Sequence, residues 1–292
     1  MIVNAMSVDV EDYFQVSAFD RVVSRDDWDR MESRVERNTH RLLDLFDEFH
    51  VRGTFFVLAW VAERHGALVR DIDRRGHEIA SHGYGHRLVY EQTPDAFRED
   101  IRQAKAILED ASGRRVVGYR APSYSITARS LWAIDTLVEE GYEYDSSIFP
   151  IRHDRYGMPD AARHPHVLTS QSGPLAELPP ATTRLGGVNL PVAGGGYFRL
   201  LPYGWTRWGL TRINEEEGQP AVFYLHPWEL DAGQPRLEAD ALGRFRHYRH
   251  LDRTEGRLRQ LLGDFQFGPM RALTADLPMP AVEEADAPLF VG

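Results

Sequence analysis

The sequence predicts an α/β fold built as a barrel-like arrangement of parallel strands, and two observations carry that expectation. Short apolar runs alternate with segments of helical period along most of the 292 residues. The acids, histidines and arginine with chemical potential stand where those apolar runs end, which is where parallel α/β barrels gather their chemistry.

Taken in order, Ile2 to Val10 reads as a strand. NTHRLLDLFDEFH places Leu42, Leu43, Leu45, Phe46 and Phe49 at helical spacing. GTFFVLAW is a second strand, VAERHGALVRDIDRRG a helix ending at Gly76, and HEIASH a third strand. Thr93 is placed to cap a helix with Pro94 at its first position. RVVGYRAP reads as a strand, Thr127 to Glu140 as a helix closed by Gly141, and YEYDSS as a further strand. From Phe149 to Pro202 the pattern lapses into Pro, Gly and His, which predicts an irregular insertion at about 150–202 with one or two short strands. Periodicity returns with the helix YGWTRWGLTRINEEEG and the buried strand AVFYLHPWEL. Asp252 with Glu255 predicts a capping box opening a terminal helix, and residues 278–288 read as a mobile tail.

Composition excludes several classes. With no cysteine, thiol nucleophiles, disulfide frameworks and Cys-ligated metals are out, so any metal must use His, Asp or Glu. Lys105 is the sole lysine among 34 basic residues, which leaves Schiff-base and P-loop lysine chemistry almost no candidate. A net charge of −10 and the lack of a basic run oppose nucleic-acid binding. The first residues have no basic n-region and no long apolar core, and no later run approaches a membrane span, so the expectation is a cytoplasmic protein without a transmembrane segment.

The chemistry-bearing residues are Asp9, Glu11 and Asp12 after the first strand, His82 and His86 after HEIAS, Arg120 after RVVGY, Asp145 after YEY and His226 after AVFYL. In SHGYGH the two histidines are four apart, a spacing that turns both imidazoles to one side for a single metal. A divalent site with two histidines needs an acid to complete a facial set with open positions. On a strand Asp9 and Glu11 face the same way, while Asp12 reaches that side only if the strand has ended. The acidic ligand is therefore Glu11 or Asp12.

Read together, these segments resemble the polysaccharide deacetylases of carbohydrate esterase family 4, which share the NodB homology domain. SVDVED stands where the family has Thr-Phe-Asp-Asp, SHGYGH where it has His-Ser/Thr-x-x-His and GYRAPSYS where it has Arg-x-Pro. YDSSIF stands for Asp-x-x-x-Trp and YLHPWE for Leu-x-x-His. The resemblance covers roughly residues 1–230, which implies one distorted (β/α) barrel there, including the insertion, and a C-terminal helical extension at 231–292 packed on it. The stretches GGGYFRLLPY and RFRHYRHLDRTEGRL further resemble the deacetylases found with exosortase/PEP-CTERM exopolysaccharide loci.

The resemblance implies hydrolysis of N-acetyl groups on hexosamine units of a polysaccharide, with a divalent metal, zinc or else Co, Ni or Mn. Asp9 would be the base, Glu11 or Asp12 with His82 and His86 the ligands, and Arg120 the partner that orients the base. His226 would be the general acid, oriented by Asp145. A backbone N–H near Ser123, with Tyr124 beside it, would face the oxyanion, and Phe149 and Leu225 would line the acetyl pocket. Three departures stand out: Asp-Val-Glu-Asp replaces the adjacent acid pair, Tyr124 comes one position late, and Phe149 replaces the Trp. Two other readings are a metal-free relative acting on a small cyclic amide or ureide, and a catalytically silent carbohydrate-binding protein using Tyr197, Phe198, Tyr203, Trp205 and Trp208.

Overall fold

The computed structural model describes residues 2–275 and 277–278. Strand β1 (Val3–Val10) is an interior strand, paired on both sides, and its alternation sets the architecture. Met6, Val8 and Val10 point to the helix-covered outside, while Ala5 joins the inner core and Ser7 and Asp9 follow it upward on the same face. After α1 (Val35–Glu48) come β2 (Thr54–Val57), α2 (Ala59–Arg64), α3 (Gly66–Arg74), β3 (Glu78–Ser81), α4 (Pro94–Ser112), β4 (Gly118–Tyr119), α5 (Trp132–Glu139) and β5 (Tyr144–Asp145). These strands run parallel in the order β1-β2-β3-β4-β5.

The stretch 150–202 is more ordered than its composition suggests. It holds β6 (His166–Ser170), β7 (Gly173–Glu177), β8 (Thr182–Leu185), β9 (Val188–Pro191) and α6 (Gly195–Leu200), four strands in place of one or two. β7 continues the main sheet parallel to β5, with β6 antiparallel at its edge, while β8 and β9 form a separate hairpin. The expected helix at 203–218 is α7 (Tyr203–Thr211) running into a π-helical turn, and β10 (Val222–Leu225) pairs with β1. No ladder joins β7 to β10 among the described residues. The chain crosses that gap itself, Leu178 N donating to Asp145 O at 2.9 Å and Ala181 N to Val222 O at 3.0 Å. The result is an α/β fold with a mostly parallel sheet, a barrel that is distorted and not closed by strands.

The C-terminal region adds α8 (Ala241–Tyr248), α9 (Leu251–Asp264) and β11 (Gln266–Gly268). Ala5 pairs with Val222 of β10 and with Gly268 of β11, so β11 occupies the β2 side of β1 below Thr54. Met270 then plugs the inner core.

Several local expectations change. The single helix expected before Gly76 breaks at His65 (φ −127°, ψ 44°) into α2 and α3. The capping box of Asp252 and Glu255 does not form. His250 (φ 57°) begins α9 without a side-chain cap, and Glu255 pairs with Arg41 and Arg259. Thr93 does cap α4, its hydroxyl accepting from Ala96 N at 3.2 Å. Within the expected tail, residues 279–288 lie outside the described residues.

Candidate active site

The inner face of β1 turns from apolar to ionic as it rises: Ala5 is packed in the inner core, Ser7 bonds Arg120, and Asp9 pairs with it. Arg120, fully buried after β4, donates from Nη1 to Asp9 Oδ1 at 2.7 Å and to Ser7 Oγ at 2.9 Å. Its other nitrogens bond Ser146 O, Ser146 Oγ and Met270 Sδ, and the guanidinium lies 4.2 Å from the Phe56 ring centroid. A buried charge so fully engaged holds its carboxylate partner in one place.

Past the end of β1, Glu11 meets the two histidines. His86 Nε2 is 2.8 Å from Glu11 Oε2, and ligand-capable atoms of Glu11, His82 and His86 all lie within 4.8 Å of one another. His82 Nδ1 is 2.8 Å from Arg120 O, so it carries the proton and donates, leaving Nε2 as the free lone pair. Burial pulls the His82 pKa down to about 4, which keeps it neutral, as a metal ligand must be. Burial pushes the Glu11 carboxyl up, but His86, followed by His226 and His82, outweighs it and holds it at about 2. Three ligand-capable atoms this close together would suit one shared divalent ion.

The SHGYGH loop is built to hold this shape. Gly83 (φ +74°) is required there, since a Cβ would stand 2.8 Å from Asp100 Oδ2. His86 is itself left-handed (φ 50°), and Arg25 clamps its carbonyl at 2.8 Å and that of Gly85 at 2.6 Å.

Asp12 goes elsewhere. Its carboxylate accepts from Arg34 N at 2.7 Å, Val35 N at 3.0 Å, Ser33 Oγ at 2.9 Å and Tyr13 N at 3.0 Å. It caps α1, whose N-cap residue Arg34 supplies no side-chain cap of its own. The strand has ended before Asp12, as reaching the histidines required, but the turn carries its side chain to the helix instead.

His226 follows β10, with Nε2 3.8 Å from Asp9 Oδ2 and 3.7 Å from Glu11 Oε1. Asp145 does not orient it. The Asp145 carboxylate bonds Ser147 and lies opposite Glu177 on β7. Glu229 stands at His226 Nδ1 instead, at 3.2 Å, and also accepts from His226 N at 3.0 Å. Burial pushes the Glu229 carboxyl up, but Arg199, donating at 2.6 Å, and His226 hold it down at about 2. Sequence reasoning missed Glu229, although its place three residues after His226, across Pro227, is the spacing of a capping box, and that box forms. Trp228 was missed as well. Its indole donates to Glu11 Oε1 at 3.2 Å and stacks between His226 and His247, with centroids 5.0 and 4.2 Å away.

These groups share one cavity of about 250 Å³, lined among others by Asp9, Glu11, His82, His86, Ser123, Tyr124, Tyr156, Tyr224 and His226. Ser123 (φ 51°) and Tyr124 (φ 53°) are both left-handed, a strained pair at the cavity wall. Leu225 and Phe149 do not line it. Strand alternation turns Leu225 to the helix side, beside Val8, and Phe149 packs behind Tyr124, Tyr156, Tyr197 and Tyr224.

Comparison with known proteins finds two family matches along this chain. Residues 20–142 match the family model "Polysaccharide deacetylase", and residues 146–275 match "Domain of unknown function (DUF3473)". A Helicobacter pylori peptidoglycan deacetylase is 28% identical over 125 residues, covering 43% of this chain and 42% of that protein. A Bacillus cereus peptidoglycan-N-acetylglucosamine deacetylase is 28% identical over 120 residues, covering 37% of this chain and 44% of that protein. The matched stretch is thus less than half the length of either relative. Among solved structures, one from Mycobacterium smegmatis described as a polysaccharide deacetylase superposes with a TM-score of 0.63 at 22% identity, covering 94% of this chain and 90% of that one. The structure of Puue allantoinase gives 0.62 at 16% identity, covering 93% and 88%. Both establish the fold alone. Among the described residues, no helix is long and apolar enough to cross a membrane. Over residues 20–142 the chain is thus similar to polysaccharide deacetylases, and over 146–275 that similarity is continued by DUF3473.

Proposed function

We propose that this chain removes N-acetyl groups from hexosamine units of a polysaccharide, and that Glu11, His82 and His86 hold the divalent ion, zinc in the first instance, on which the reaction depends. The observation that carries the reading is the meeting of that ligand triad with His226 and Asp9, the last held from behind by Arg120, around a single cavity. When bound, the ion supplies Lewis acidity and lowers the pKa of water. The buried Glu11 Oε2 meets no donor of good hydrogen-bond geometry, only His86 Nε2 at 2.8 Å, which suits a carboxylate and an imidazole that would share one cation.

Asp9, fixed by Arg120, accepts the proton of the attacking water. Water oxygen joins the acyl carbon, the amide C–N bond breaks, and His226 gives the leaving nitrogen its proton, so acetate and a free amine depart. Glu229 holds His226 through Nδ1, leaving Nε2 turned to the reacting side. Ser123 and Tyr124 border the acyl side, and Tyr124, Tyr156 and Tyr224 take the methyl-pocket role expected of Leu225 and Phe149. An exopolysaccharide is the polymer suggested by the resemblance of GGGYFRLLPY and RFRHYRHLDRTEGRL to the deacetylases of exosortase/PEP-CTERM loci.

The test is acetate release from N-acetylhexosamine oligomers by metal-stripped protein reloaded with Zn or Co. The expected outcome is activity only after reloading. His226→Ala should lose about 10²–10⁴-fold in rate while still binding one ion, and His82→Ala should lose the ion itself. Full turnover by His226→Ala removes its assigned role, and turnover without any metal removes the reading.

A further inference from the structure

The exposed side of α8 carries a patch that the chemistry above does not use. α8 buries Gly243, His247 and Tyr248, and turns Leu242 and Phe245 outward, 55% and 50% exposed. Val22, 50% exposed, belongs to the neighbouring loop, whose Phe19 packs edge-on against His247 at 4.7 Å between centroids. Single exposed apolar residues are ordinary, but a group at one rim marks a contact surface. Leu242 also borders the active cavity, so the patch stands at its mouth.

Cations flank it. Arg236, Arg244 and Arg249 line, with Phe245, a shallow cleft along α8 that shares no residue with the active cavity. Among the described residues, none of the three has a carboxylate oxygen within 4.0 Å. Arg236 and Arg249 instead stand over the rings of Tyr248 and Phe245 at 4.6 and 5.6 Å. Of the nearby acids, Asp240 is engaged in capping α8 at Gly243 N, 2.7 Å, and Asp154 faces Arg246 at 3.9 Å, which leaves Glu238 in the cleft. This local excess of cations lies on a chain of net charge −10.

We infer that α8 seats the mouth of the cavity on an anionic lipid surface, with Phe245 and Leu242 entering the boundary between headgroups and acyl chains and the three arginines meeting lipid phosphates. Apolar side chains on α8 beside cations from the helix and both its flanks, Arg244 within it, Arg236 before it and Arg249 after it, are what such a surface requires. An acidic glycan or a nucleic acid would engage the arginines and leave Leu242 and Phe245 in water. A second copy of the chain, docked by a two-fold axis, would set these arginines against one another. The inference stands apart from the proposed reaction, and binding is measured without turnover.

The experiment sediments the full chain with vesicles of phosphatidylcholine alone and of phosphatidylcholine with an equal share of phosphatidylglycerol. Binding should be about 100-fold tighter on the anionic vesicles and weaken in about 0.5 M NaCl, where screening shortens charge attraction to a few ångströms. Arg244→Ala with Arg249→Ala should weaken binding about 25-fold, at roughly fivefold per cation. Phe245→Ser alone should also weaken it, with the thermal melt unchanged in both variants. The inference is overturned by equal sedimentation on neutral vesicles, by none on either, by parental binding in both variants, or by a dimer in light scattering that Phe245→Ser abolishes.

Discussion

His226 meets Glu229 on one ring nitrogen and faces Asp9 and Glu11 on the other. Burial pulls its pKa down, but Glu229 first, then Glu11 and Asp9, outweighs burial and pushes it up to about 9. In the proposed reaction the ring is therefore charged at neutral pH, and activity should fall as pH rises and that proton is lost. Glu229→Gln keeps the shape and removes the charge. We expect its alkaline fall to begin about one pH unit lower and its kcat to drop about tenfold, with metal content unchanged. Asp145→Asn should leave the alkaline fall where it is, and a pH profile of acetate release separates the two. Asp9, Glu11, His82, His86, Arg120 and His226 could be gathered from the sequence because each ends a strand run, and parallel strands bring their ends to one face. Which carboxylate serves which partner was not legible. Asp12 and Asp145 stand at strand ends like the others, and only the turns after them send one to the start of α1 and the other to Ser147 and Glu177.

At the scale of elements, β5 and β7 bring two acids face to face. Asp145 and Glu177 are directly opposite in the parallel ladder and both are fully buried. Burial raises both carboxyls, and the Asp145 charge raises Glu177 further, so Glu177 keeps its proton and donates it to Asp145. A carboxyl whose folded-state pKa lies above its unfolded value stabilises the fold at low pH and loses that contribution as pH rises past the ordinary carboxylate range. Glu177→Gln, which keeps the donor without the titration, should flatten this loss, whereas Glu177→Ala should cost about 1–3 kcal/mol by stranding Ile148 N and the Asp145 carboxylate. Urea denaturation at several pH values measures both. The same ladder shows why the insertion was hard to read: β7 is the five-residue GPLAE, whose Gly and Pro signal a turn, and its place beside β5 comes from sheet pairing, which leaves no mark on local periodicity. Helices with a strong apolar face, such as α1 and α4, needed no such context.

Over the whole molecule, the candidate site is drawn from three parts of the chain. Asp9 and Glu11 precede the deacetylase match at 20–142, His82, His86 and Arg120 fall within it, and Arg199, His226 and Glu229 fall within DUF3473. The last described segment closes the base, where Met270 is fully buried, touches Arg120 with its sulfur at 3.6 Å and donates its N–H to Thr54 Oγ1 at 2.8 Å. Met270→Ala should therefore destabilise the whole fold by about 2–5 kcal/mol in chemical denaturation, despite lying at least 150 residues in sequence from Asp9, Glu11, His82, His86 and Arg120. That the chain would form an α/β barrel was legible from its alternation. That residues beyond 265 would return to its first strand was not, because three residues, Gln266–Gly268, are too few to show a period. This return also sets an order of events during synthesis. β1 leaves the ribosome first, yet its flanks fill only when β2, then β10 and finally β11 follow. Until then Asp9 sits on an unfinished strand with Glu11 just past its end, and of the three parts that supply the proposed chemistry theirs waits longest in a nascent chain for its neighbours.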